Sequence, residues 1–125
     1  MKSLKNGIKK IAVKVDSHTG CSYKALVSSL PGVKEIRVEP GLIVYVLPDG
    51  TLLELYGLGA PYPLYLFEQS DTVVSFRVDN LGKTLAELKK TGAQLIGNVE
   101  HVCSSYRYCY VYMNEKNVLG IFELS

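Results

Sequence analysis

Neither sign of charge is in much excess in this chain. Fourteen Lys and Arg against twelve Asp and Glu leave a formal net charge of +2, too weak a field to hold a polyanionic nucleic-acid backbone. The lysines are scattered apart from a basic start at Lys2, Lys5, Lys9 and Lys10, which reads as a solvated terminus. Cysteine is sparse and odd in number. Cys21, Cys103 and Cys109 form no Cys-x-x-Cys pair, which argues against a zinc ribbon or a disulfide framework and for a reducing compartment. Long apolar runs are missing too. No stretch approaches the roughly 18–20 apolar residues that span a bilayer, and no apolar run of signal-peptide length follows the charged N-terminus. The expectation is a soluble cytoplasmic protein with neither a nucleic-acid nor a membrane partner. There is no phosphate loop, because Gly57-Leu-Gly59 lacks the strand-to-helix setting that gives such glycines meaning. No Ser/His/Asp or Cys/His arrangement stands out. Both histidines, His18 and His101, fall in loops and read as solvent-exposed.

What is present is an ordinary globular composition arranged as a repeat. At 125 residues, 47% hydrophobic and 21% charged, the chain is one domain in size and can bury about two-thirds of its unfolded surface. The strand-like Ile11–Asp16 reappears as Val74–Asp79, and the strand–turn–strand Leu42–Tyr56 reappears as Tyr108–Phe122. In the first pass, residues 8–16 read as a strand, and Cys21 to Leu30 as a short helix with Tyr23, Leu26, Val27 and Leu30 inward. Lys34–Glu39, Leu42–Leu47 and Thr51–Tyr56 complete a strand set, the last two joined by the turn Pro48-Asp-Gly50. The Gly/Pro-rich segment 57–63 begins a connector whose apolar end, Leu64–Phe67, has no assigned structure. The second pass runs Thr72–Asp79, a helix over Leu81–Thr91 stopped by Gly92, then Gln94–Val99, Tyr106–Met113 and Val118–Glu123, with Glu100–Ser105 as a polar loop. Neither half buries its sheet alone. The expected fold is therefore α+β: a single domain over 1–125 of two paired βαβββ modules, about 7–57 and 72–125, joined by a connector over about 58–71.

Three segments carry a family resemblance: Val74-Ser-Phe-Arg-Val-Asp-Asn-Leu81, Leu88-Lys-Lys-Thr-Gly-Ala93 and Pro48-Asp-Gly-Thr-Leu-Leu-Glu54. With the repeat, they resemble the glyoxalase / bleomycin-resistance / extradiol-dioxygenase group, the vicinal oxygen chelate superfamily. The resemblance runs over nearly the whole chain. It implies that the modules curl into an incomplete barrel around a shared cavity holding a divalent metal. The ligands would be His or Gln on each module's first strand and Glu or His on its fourth. It also implies homodimerisation. Carried over, the four positions here are Lys10, Glu54, Val73 and Gly120. Only Glu54 is a donor, whereas a transition-metal site wants three or four converging N, O or S atoms. Glu123 is offset by three from Gly120 and belongs to the other face of its strand. No metal and no other cofactor is expected.

The side chains facing the cavity follow from register. A three-residue loop at Pro48-Asp-Gly50 pairs Val46 with Leu52 and Val44 with Glu54. The matching loop Asn114-Glu-Lys116 pairs Tyr112 with Val118, Tyr110 with Gly120 and Tyr108 with Phe122. On that register Tyr106, Tyr108, Tyr110 and Tyr112 form a stripe on the cavity face; a slip of one residue would turn it to the helix side. The same alternation puts Lys10, Ala12, Lys14, Val73, Ser75 and Arg77 on the cavity face. Lys10 and Glu54 either pair, replacing the metal's charge balance, or lie at solvent-exposed strand ends. The residues expected to bind ligand are Lys10, Lys14, Arg77, Tyr108, Tyr110 and Tyr112, with Glu54 as the candidate catalytic group. Phenols and net positive charge suit a small aromatic or anionic metabolite. Three functions remain open: a metal-free small-molecule binding protein; a metal-dependent lyase, isomerase or dioxygenase-like enzyme with a non-standard site, or one working without metal through Glu54 and a Tyr as acid; and an interaction module whose pocket is filled by its own side chains, Tyr110 above all.

Overall fold

The computed structural model describes residues 6–16 and 22–124, with the backbone alone for 37–39. The element order is β1 (Gly7–Lys14), α1 (Ser22–Ser28), β2 (Lys34–Glu39), β3 (Leu42–Val46) and β4 (Leu52–Tyr56), then a 3₁₀ turn at Leu64–Phe67. It continues with β5 (Thr72–Arg77), α2 (Leu81–Lys90), β6 (Gln94–Cys103), β7 (Tyr106–Tyr112) and β8 (Val118–Leu124). The chain resolves into two compact units, Lys10–Thr72 and Met1–Lys9 with Val73–Ser125, called here modules one and two.

In module one the strands lie in the order β2-β3-β4-β1. β1 runs parallel to β4, and β3 is antiparallel to both β2 and β4. Alternation along the strands sends Val13, Ile43, Tyr45, Leu53 and Leu55 to one face, where they close a core with Val27 of α1. The opposite face receives Ala12, Val44 and Glu54, which lie in one row across β1, β4 and β3. The β3–β4 turn has the expected three-residue form. Leu47 N–H donates to Thr51 O at 2.8 Å, Gly50 N–H closes the turn on Leu47 O at 2.8 Å, and Asp49 Oδ1 accepts from Thr51 N–H at 3.0 Å.

α1 departs from the sequence reading. It spans seven residues and buries Val27, while Tyr23, Leu26 and Leu30 are 36%, 56% and 42% exposed. A helix of two turns meets a sheet at one point, so the wider stripe expected from periodicity finds nothing to cover it. His18 and Cys21 lie outside the described residues.

Module two repeats the plan in the order β5-β8-β7-β6, with β5 parallel to β8 and β7 antiparallel to both neighbours. α2 is specified at both ends. Asn80 Oδ1 accepts from Lys83 N–H at 3.0 Å as the N-cap. Past the C-terminal end, Ala93 N–H reaches Leu88 O at 3.2 Å and Gly92 N–H reaches Lys89 O at 3.1 Å. That pairing requires the left-handed backbone of Gly92, φ 99°. Leu81 and Leu85 of the helix bury against Cys109, Val111 and Ile121, each leucine contributing about 1.5–3 kcal/mol of transfer free energy. β6 continues through Cys103, so part of the segment expected as a loop is strand. Its register shifts between Ile96 and Glu100, where Gly97 adopts φ 67° and lets the strand bulge.

Candidate functional site

On module one the face opposite α1 is organised around Glu54. Glu54 pairs Val44 on one side and Ala12 on the other. Lys10 pairs Leu52, placing it one pleat repeat from the Glu54 row rather than directly across. Lys10 is half-buried, whereas Lys14, which pairs Tyr56, is exposed at the end of β1. One partner of the carboxylate is a residue that patterning did not single out. Tyr56 Oη donates to Glu54 Oε1 at 3.0 Å. The spacing of two, Glu54-Leu-Tyr56, carried that signal, because residues two apart on a strand share a face. The supports of Tyr56 come from the connector and had no local signal. Tyr62 and Phe67 pack edge-on against its ring, with centroids at 5.8 and 5.5 Å, and against each other at 5.0 Å. A phenol held by two rings and hydrogen-bonded to a half-buried carboxylate can pass a proton or orient an acceptor.

On module two the tyrosines stand on the face away from α2, since their alternates Cys109 and Val111 are buried against the helix. Tyr110 pairs Gly120, and Gly120 pairs Ser75. One pleat repeat along, Tyr108 pairs Phe122 and Phe122 pairs Arg77. Packing at the first row is tight. A Cβ placed on Gly120 would overlap the Ser75 hydroxyl and lie 3.0 Å from Tyr110 Cε1. The Tyr110 ring, 8% exposed, thus takes part of the space that a larger side chain at Gly120 would need. Ser75 is 4% exposed, and its hydroxyl makes no hydrogen bond among the described residues. Such buried, unsatisfied groups are uncommon. Tyr106 stacks on Tyr108 at 5.7 Å and meets Phe122 at 5.9 Å, and Tyr108 meets Tyr110 edge-on at 6.0 Å. Tyr112 is half-buried opposite Val118. Arg77 is half-buried as a residue, and its guanidinium makes no ion pair among the described residues.

The donor sets of the two modules can be compared with a metal's needs. Module one offers the Glu54 carboxylate at the relevant strand positions; in module two, Val73 and Gly120 offer nothing. Among the described residues no group of three or more His, Cys, Asp and Glu converges. Glu123 is committed elsewhere. Its Oε1 accepts from Leu81 N–H at 2.7 Å, at the start of α2, and its Oε2 from Arg107 Nη2 at 2.7 Å. These donors, the helix amide first and the guanidinium second, hold its carboxyl below the usual range. His101 is exposed on β6. Cys103 is exposed at the end of β6, its thiol pKa lowered chiefly by the Ser105 side chain 3.3 Å away, while burial raises that of Cys109 to about 11.

No family model and no curated protein matches the sequence. Solved structures do. A hypothetical protein from Bacillus halodurans C-125 is 16% identical with a TM-score of 0.65, covering 96% of this chain and 95% of that one. A glyoxalase/bleomycin resistance protein/dioxygenase superfamily member from Vibrio splendidus 12B01 is 12% identical at TM-score 0.64, covering 94% and 98%. Methylmalonyl-CoA epimerase from Mycobacterium tuberculosis is 13% identical at TM-score 0.62, covering 95% and 88%. At these identities the likeness is one of fold.

Proposed function

We propose that this chain, which has the fold of the glyoxalase/bleomycin-resistance/dioxygenase superfamily, is a metal-free binding protein for a small aromatic or anionic metabolite. The observation that carries the reading is the face of module two. A buried Ser75 hydroxyl with no hydrogen bond among the described residues lies beside Gly120 and Tyr110, next to the row Arg77–Phe122–Tyr108. Phenol rings give apolar area with a polar edge, the Arg77 guanidinium, without an ion pair among the described residues, gives a carboxylate its fork, and Ser75 supplies a further hydrogen bond. Glu54 as the one carboxylate donor at the family's ligand positions argues against a bound divalent ion. The test is a thermal-shift titration with 4-hydroxybenzoate. Tm should rise with concentration and the rise should fall in Tyr108→Ala. No rise with this or with unsubstituted benzoate overturns the reading.

A second reading has its own observation, the Tyr56–Glu54 hydrogen bond at 3.0 Å. There Glu54 would take a substrate proton as general base while Tyr56 donates to the developing oxyanion. Turnover that survives chelation of metals but not Glu54→Gln would favour it.

A further inference from the structure

Module two carries a second concavity. An open cleft of about 540 Å³ is lined by Asn6, Gly7, Phe76, Arg77, Val78, Asp79, Asn80, Lys83 and Thr84. It lies where β5 ends and α2 begins, and Tyr108 and Tyr110 take no part in it. We propose that this cleft binds a phosphate-bearing small molecule, gripped between Arg77 and Lys83.

The argument rests on side chains. The amides of Leu81 and Lys83 at the start of α2 already serve the Glu123 carboxylate and the Asn80 side chain, so the helix end offers little to an incoming anion. What remains are two cations without an ion pair among the described residues. Thr84 is half-buried, its hydroxyl has no hydrogen bond among them, and the Asn80 amide nitrogen adds a further donor. A planar guanidinium fork, a mobile ammonium and a hydroxyl suit an oxyanion with several acceptor oxygens better than a carboxylate with two. The cleft's single carboxylate, Asp79, is exposed and leaves a balance of one positive charge. A phosphate dianion would gain from both cations and be opposed by Asp79. The cleft volume also exceeds what inorganic phosphate alone needs, which points to an ester or diphosphate.

Titration of the full chain with pyrophosphate, followed by amide chemical shifts, tests this. Saturable shifts are expected at Gly7, Asn80, Lys83 and Thr84, weakening about fivefold in Lys83→Gln and strengthening severalfold in Asp79→Asn. Both positions are exposed, and the gain in Asp79→Asn guards against a merely unfolded variant. The affinity should fall when salt is raised from about 0.15 M to 1 M, as the screening length shrinks from about 8 to 3 Å. Shifts that do not saturate, or an affinity the same in both variants as in the parent, overturn the site. Both sites draw on Arg77, so its guanidinium serves one ligand at a time and the two ligands should compete. Lys83 lies off the tyrosine face, so 4-hydroxybenzoate binding that persists while pyrophosphate binding is absent would sink this inference alone. The reverse result would sink the tyrosine-face reading and leave the cleft.

Discussion

At the scale of single residues, Gly120 is the most constrained position on the tyrosine face. Its backbone does not need glycine's left-handed freedom; its surroundings need the missing side chain. Ser75 and Tyr110 close on it from both sides, so Gly120→Ala forces a shift in a buried row and should destabilise by about 1–3 kcal/mol in denaturant unfolding. Most of that loss should vanish in the Ser75→Gly background, a coupling that a double-mutant cycle reads directly. The cysteines give a second prediction. The exposed Cys103 has its thiolate favoured by Ser105, and the buried Cys109 has its thiolate opposed by burial. Iodoacetamide with peptide mapping should label Cys103 in the native protein, more slowly in Ser105→Ala, and label Cys109 only on unfolding. The Gly120–Tyr110 pairing was legible in the sequence because loop length sets hairpin register. The burial of Ser75 without a hydrogen bond among the described residues was not, since that depends on every neighbour.

At the scale of elements, the two hairpins make a natural comparison. Both use a three-residue loop, closed by Gly50 N–H on Leu47 O in one and by Lys116 N–H on Met113 O at 2.9 Å in the other. The residue in the left-handed region is Gly50 in the first, φ 89°, and Lys116 in the second, φ 74°. A side chain there costs about 1–2 kcal/mol, so Lys116→Gly should raise stability by roughly 0.5–1 kcal/mol after glycine's entropy is deducted. Thermal unfolding checks this. α2 supplies the pH prediction. Glu123 is more acidic folded than unfolded, so its contribution is fully present above the unfolded value of about 4.3 and is lost as pH falls through the lower folded value. The gap in Tm between the parent and Glu123→Gln should therefore be constant near neutrality and narrow below about pH 4. The α2 stripe was readable because its three leucines have a sheet to meet. α1 misled because its apolar residues outnumber the contacts two turns can make.

At the scale of the molecule, the duplication is the organising fact. Ala12 pairs Glu54 in module one as Ser75 pairs Gly120 in module two, so the internal repeat in sequence is a repeat of strand pairing. Equivalent positions have diverged: a carboxylate in one module stands where the other has no side chain. On the metal-free reading, exhaustive EDTA treatment should leave Tm unchanged, because an ion bound only by the native state would be missed on removal. A stoichiometric divalent ion retained through purification would contradict it. No helix of the described chain is long and apolar enough to cross a membrane.

Local rules sufficed for the βαβββ plan, the two hairpin registers and the ends of α2, because strand period, loop length and capping act between residues close in sequence. They also sufficed to show that, of Lys10, Glu54, Val73 and Gly120, only Glu54 carries a carboxylate. Hairpin register pointed the tyrosine stripe to the cavity face, and the packing of Cys109 and Val111 on α2 decided against the one-residue slip. Tertiary structure alone brought Tyr62 and Phe67 onto Tyr56, committed Glu123 to Leu81 and Arg107, and left Arg77 and Lys83 around one cleft. Those outcomes depend on packing between segments far apart in the chain, where no sequence spacing carries the distance.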